Sequence, residues 1–338
     1  MESLIQANGQ PHYGIFPAAP RQVNYRDFDF RSPMGRRLGA LAKWRRFHQF
    51  QYFGLVSDEL IGGCALANLS LLSVGFVYLF HPASGRMIER QVRMPLGFGS
   101  RFCQEPDEGV CELRSGGNLL RLENHRATRD KHLLVELDDG TRIDAQFSEQ
   151  QPAFQPMHIC TPTAVNGWVY AQKVAGVRCQ GSVRSALGDF DLGEIGAFAH
   201  HDWSAGYMRP ETHWNWACLS GEVAGLRVGL NLSCGVNETS FSENCYWLDG
   251  ELLPVGGVQF QFDRDLPLQP WQIHSGDGQV ELSFRGHGLH REHLNLVVLA
   301  SNFKQVFGCF QGTLRPPGRA PVGIDNLWGF VEDQYVKW

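Results

Sequence analysis

The stretch Leu226-Arg227-Val228-Gly229-Leu230-Asn231-Leu232-Ser233 decides the fold. Its apolar residues, Leu226, Val228, Leu230 and Leu232, alternate strictly with Arg227, Gly229, Asn231 and Ser233. A period of two puts the apolar set on one face of an extended chain, whereas a helical face repeats every three to four residues. The same alternation recurs downstream. Val258, Phe260 and Phe262 flank Gln259 and Gln261, and Val280, Leu282 and Phe284 flank Glu281 and Ser283. Asp-Gly pairs tolerate the positive φ of tight hairpin turns. Asp139-Gly140 separates Leu133, Val135 and Leu137 from Ile143, Ala145 and Phe147, and Asp249-Gly250 and Asp277-Gly278 mark two further hairpins. Helical spacing is confined to residues 34–47. The chain therefore reads as all-β, built of antiparallel barrels or sandwiches that hold a ligand in a mouth or interior.

A weak internal repeat points to duplication. Ala65-Leu66-Ala67-Asn68-Leu69-Ser70 resembles Val228-Gly229-Leu230-Asn231-Leu232-Ser233 at an offset of about half the 338 residues. Each follows a Trp-containing segment, around Trp44 and around Trp214 and Trp216, and each precedes an aromatic strand and a Gly turn. Glu149-Gln150-Gln151-Pro152 and Thr161-Pro162-Thr163 interrupt the pattern, which predicts one β domain over 1–160 and a second over 161–338.

A net charge of −5 leaves no footprint for nucleic acid. Arg36, Arg37, Lys43, Arg45 and Arg46, interleaved with Leu38, Leu41 and Trp44, fit either a solvated helix face or a peripheral contact with an anionic membrane surface. The nine cysteines are odd in number, scattered and without Cys-x-x-Cys, which argues against a disulfide framework and a structural zinc site. The N-terminus carries no basic-then-apolar leader, so a cytoplasmic location is expected. Residues 61–80 lack charge over the length of a membrane span, but three glycines and Asn68 favour two buried strands joined by a loop.

No phosphate-binding Gly loop, nucleophile elbow or His-Glu-x-x-His occurs. What stands out is Ala199-His200-His201-Asp202-Trp203-Ser204, then His213-Trp214-Asn215-Trp216, then Glu243-Asn244-Cys245-Tyr246-Trp247. In an extended segment His201 and Trp203 share one face, and His200 and Asp202 the other. Trp214 and Trp216 likewise form one apolar wall. His201, with a resting pKa near neutrality, is the expected acid or base, with Asp202 or Glu243 as its acidic partner. Trp203, Trp214, Trp216, Asn244, Tyr246 and Glu332 are the expected substrate contacts. The competing reading is that buried His and Asp satisfy strand ends and that Trp fills the core. No metal or cofactor is expected.

Several of these motifs together resemble the bacterial family known as domain of unknown function 2804: Lys43-Trp44-Arg45, Gly167-Trp168-Val169-Tyr170, His201-Asp202-Trp203-Ser204, Trp214-Asn215-Trp216-Ala217, Glu243-Asn244, and Glu332-Asp333 with Tyr335 and Trp338. The resemblance spans nearly the whole chain. More distantly the chain is similar to the tandem lipocalin-like superfamily of carotenoid 1,2-hydratases, tocopherol cyclase and fungal lipocalin-like Diels–Alderases. That resemblance implies two lipocalin-like β domains and an apolar, isoprenoid-like or polyene substrate. His201-Asp202-Trp203 matches the hydratases' His-x-Trp, and Trp214-Asn215-Trp216 their Trp-x-Trp. Ser204 stands where they have Gly.

Three functions remain in view. The first is an enzyme, a hydratase, isomerase or cyclase, acting by acid–base chemistry on an unsaturated lipid or isoprenoid-like small molecule. The second is a non-catalytic carrier of such an apolar molecule. The third is carbohydrate binding or processing, which needs paired carboxylates across a cleft.

Overall fold

The computed structural model describes all residues except 151–153, 237–238, 296–298 and 338, so Gln151 and Pro152 of the expected joint and Trp338 of the C-terminal motif lie outside the described residues. Strands account for 61% of the structure and helix for 3%, as the period-two pattern requires. They form three antiparallel sheets of eight, seven and nine strands. The three Asp-Gly pairs each close a hairpin, with Gly140, Gly250 and Gly278 all at positive φ.

The chain divides where the Phe198–Gly206 strand ends and Glu211–Val223 begins. Up to that point the eight- and seven-stranded sheets enclose a core that includes Phe53, Leu66, Leu122, Leu133 and Phe147. Beyond it a single nine-stranded sheet curls until its Leu226–Cys234 and Val258–Gln261 strands approach, around Leu230, Trp271, Phe284 and Val331. The expected seam at 160/161 falls inside the Met157–Thr163 strand, which shares the eight-stranded sheet with Gly167–Arg178 and Phe198–Gly206. Pro162 fits there because it lies beyond the short Gly14–Phe16 strand, leaving one edge of its own strand unpaired.

The two halves share a plan. His48–Val56, Ile61–Asn68, Leu72–His81 and Arg86–Pro95 form a meander beside the later strand Phe198–Gly206. Glu211–Val223, Leu226–Cys234, Cys245–Leu248 and Glu251–Pro254 form a meander beside the later strand Val322–Lys337. The repeated segments 65–70 and 228–233 both begin in the second strand of their meander. Residues 61–80 are two strands and a turn, and among the described residues no helix is long and apolar enough to cross a membrane. The helical spacing of 34–47 yields only Ala40–Arg46. Gly35 at φ +82 and an Arg31–Arg37 bridge hold the preceding segment as an irregular turn instead.

The halves pack sheet against sheet. A bulge after Val174 swings Gly176, at φ +79, onto Gly229. A Cβ at Gly229 would sit 2.4 Å from the backbone of Ala175, so this close approach requires glycine.

Candidate active site between the halves

Strand alternation sorts the expected residues. On Phe198–Gly206, Asp202 and Ser204 face the second half and line a cavity, while His200 packs between Gly54 and Phe330 on the same side. His201 and Trp203 face the opposite way. His201 lies inside the first half, 3.1 Å from the Gln51 amide and beside Phe147, and Trp203 is fully buried against Tyr170. They are therefore remote in direction from the cavity that Asp202 lines.

Register places Lys173 and Tyr52 on either side of Asp202, and Gln305 and Trp216 on either side of Glu332. Phe198–Gly206 and Val322–Lys337 hold equivalent positions in their halves. These strands are thus counterparts, and one carboxyl from each, Asp202 and Glu332, lines one cavity of about 260 Å³. Phe50, Leu72, Phe76, Phe303, Trp214 and Trp216 supply much of its apolar wall. The cavity lies between the halves, lined by side chains of both.

Several polar side chains interrupt this wall, Arg93 with Glu292 among them, and two groups hold buried carboxyls. In the first, Lys173 Nζ donates to Asp202 Oδ2 at 2.7 Å and lies 3.3 Å from Glu243 Oε1. The Ser204 hydroxyl donates to Asp202 Oδ1 at 2.7 Å, and Lys173 Nζ stands 5.2 Å from the centre of the Trp216 ring. In the second, Glu332 accepts from Trp214 Nε1 at 3.1 Å and from Gln305 Nε2 at 2.9 Å.

The two groups differ in their electrostatics, one built around a buried cation and the other around neutral donors. Burial pushes the Glu332 carboxyl up from 4.5 to about 8, and the neutral donors Trp214 and Gln305 only partly oppose this. Glu332 is therefore a protonated acid at neutral pH. Burial alone would lower the pKa of Lys173, but Asp202 and Glu243 outweigh it and hold the ammonium firmly charged. Burial, with Asp202 nearby, raises the Glu243 carboxyl against the pull of Lys173. His201 is driven well below 6.5 by burial and is a neutral imidazole.

Of the expected residues, the structure brings together Asp202, Glu243, Trp214, Trp216 and Glu332 at the cavity. Asn244 instead braces a loop, accepting from Ser233 N and donating to the Gly256 carbonyl. Tyr246 belongs to the second-half core, with its hydroxyl on Gln279. Lys173, Ser204 and Gln305 also line the cavity, and no motif of the sequence marks them as site residues. Lys173 left one signal: it is the lone charge in the otherwise uncharged run 167–177.

A model of the family described as domain of unknown function (DUF2804) matches residues 3–338. The chain belongs to that family. No curated protein matches it. Among solved structures it is similar to kievitone hydratase from Nectria haematococca, at 8% identity and a TM-score of 0.53, covering 85% of this chain and 88% of that one. It is also similar to CghA solved with Sch210972, at 9% identity and a TM-score of 0.54, covering 87% and 89%. A Nitrosomonas europaea protein described as an AttH candidate gives 12% identity and a TM-score of 0.51, covering 85% and 92%. At these identities the likeness establishes the fold of this family member, the tandem lipocalin-like arrangement expected from the motifs.

Proposed function

We propose that this DUF2804 protein is an acid–base enzyme acting on an apolar, unsaturated small molecule held between its halves. The observation that carries this reading is Glu332, a buried, protonated carboxyl held by two neutral donors in an otherwise largely apolar cavity, across from carboxylates paired to a buried lysine. Pairs of carboxyl groups pushed to different charge states divide acid from base work. The likeness of fold to a hydratase agrees with this reading.

In the proposed step the Glu332 carboxylic acid gives its proton to one carbon of a substrate double bond. The adjacent carbon becomes electron-poor, and the faces of Trp214 and Trp216 stabilise it. A water molecule then adds and loses a proton to Asp202 or Glu243, which is hydration. Alternatively, the same carboxylate removes a proton from a neighbouring carbon, which is isomerisation. Lys173 and Ser204 hold Asp202 in place, and the apolar wall excludes bulk water. The test is native mass spectrometry of protein from its own host, with organic extraction of any bound compound. A stoichiometric unsaturated lipid or terpenoid, returned altered after incubation with wild type but not with Glu332→Gln, is the expected result. An unaltered compound would assign the cavity to carriage.

A further inference from the structure

One end of the cavity lies beside an unusual surface. Leu69 and Leu72 line the cavity, and Leu71, between them on the turn, points outward. The turn is tied on one side to the short helix, where the Ser70 hydroxyl donates to the Trp44 carbonyl at 2.7 Å. On the other side Leu96 N donates to the Leu71 carbonyl at 2.8 Å. These ties gather Leu41 (74% exposed), Trp44, Leu71, Leu96 (61%) and Phe98 (73%) at one end of the molecule. Scattered exposed apolar residues need no explanation, but a set clustered beside a cavity does.

The segments that carry the set are rich in arginine, although Asp29 pairs with Arg37 and Glu292 with Arg93. No carboxylate occurs between Asp29 and Asp58, between Glu59 and Glu89, or between Glu89 and Glu105, although the whole chain carries −5. Arg36, Arg45 and Arg46 are exposed and form no ion pair among the described residues. Exposed apolar side chains next to a segment with three unpaired arginines match an interface between headgroups and acyl chains.

We infer that this face docks the protein peripherally on an anionic phospholipid surface, with this end of the cavity turned to the bilayer, so that an apolar substrate enters from lipid. The docking face stands whether or not the cavity performs chemistry.

The test is co-sedimentation of the full-length protein with vesicles of phosphatidylcholine alone or with about 30% phosphatidylglycerol, at low salt and at about 0.5 M, where charge attraction is screened. The expected result is partitioning into the anionic vesicles only, with a blue shift of tryptophan emission, lost at high salt. Each basic residue near an anionic surface strengthens partitioning about fivefold, so the triple variant Arg36→Gln, Arg45→Gln, Arg46→Gln should lower it roughly a hundredfold. Leu71→Ser with Phe98→Ser should lower it at least about tenfold. Both variants alter only exposed side chains, and melting at the wild-type temperature verifies their folding. Three outcomes overturn the inference: no partitioning, equal partitioning into neutral and anionic vesicles, or retention by both variants. A wild type that self-associates in sedimentation velocity, with Phe98→Ser abolishing it and no vesicle binding, would assign the face to a second copy.

Discussion

Replacing Glu332 by glutamine should stabilise the protein while disabling it. In the folded state this carboxyl stays protonated up to about pH 8, whereas in the unfolded chain it ionises near 4.5. Between those values the unfolded state holds fewer protons, so each pH unit removes about 1.4 kcal/mol of stability. At pH 7 the accumulated penalty is about 3 kcal/mol, and above pH 8, where both states are ionised, it stops growing. Glutamine has nearly the same shape, accepts from Trp214 and carries no such penalty. Urea unfolding of wild type and Glu332→Gln at pH 5, 6, 7, 8 and 9 reads the difference directly. It should be small at pH 5, widen by about 1.4 kcal/mol per unit and level off beyond pH 8. Turnover of a verified substrate should fall by roughly 10²–10⁴, the usual worth of a positioned acid. A stability difference that stays flat from pH 5 to 9 would mean that Glu332 is ionised at neutrality, and the acid role would fall with it.

Further outcomes follow from the same geometry. Lys173→Met leaves Asp202 and Glu243 without their buried cation and should cost about 3–5 kcal/mol at pH 7, less in acid, by chemical denaturation. Trp214→Phe removes a donor to the Glu332 carboxylate, so the alkaline limb of the activity profile should move to higher pH. His48, His158 and His200 are held neutral by burial, at about 4, 4 and 3, so the unfolded state gains protons first as pH falls below 6.5. The three together should remove about 5 kcal/mol between pH 6.5 and 5, against about 2 returned by Glu332, a net loss visible as a falling melting temperature. Gly54→Ala places a methyl 2.0 Å from His200 Nε2 and should destabilise by about 1–3 kcal/mol in a thermal melt.

Much of this architecture was legible in the chain. Alternation in Leu226 to Ser233 and the Asp-Gly pairs report directly on strand faces and hairpins, because both are local. The seam was less legible. Thr161-Pro162-Thr163 looks like a linker but is the end of a strand at a partly unpaired position, and which strands share a sheet depends on distant pairing. Alternation also implied that Asp202 and His201 point apart, yet it could not say which face meets the other half. The His-x-Trp pattern drew the role towards His201, although the cavity lies on the Asp202 face. Lys173 and Gln305 became visible only through register, which sets them beside Asp202 and Glu332 across strand pairs far apart in sequence.

His201 offers a separate check on that assignment. His201→Leu alters the interior of the first half and should shift stability, while leaving turnover by the folded protein within a few-fold of wild type. A loss as deep as that of Glu332→Gln would return the chemistry to the other face of the strand.

The most direct test of proton chemistry between the halves is incubation of the extracted native compound with protein in deuterium oxide, followed by mass spectrometry. Carbon-bound deuterium, or added deuterium oxide, is expected with wild type and with His201→Leu, and none with Glu332→Gln. A compound recovered with its mass unchanged by wild type, or labelled equally by Glu332→Gln, would contradict proton transfer from Glu332.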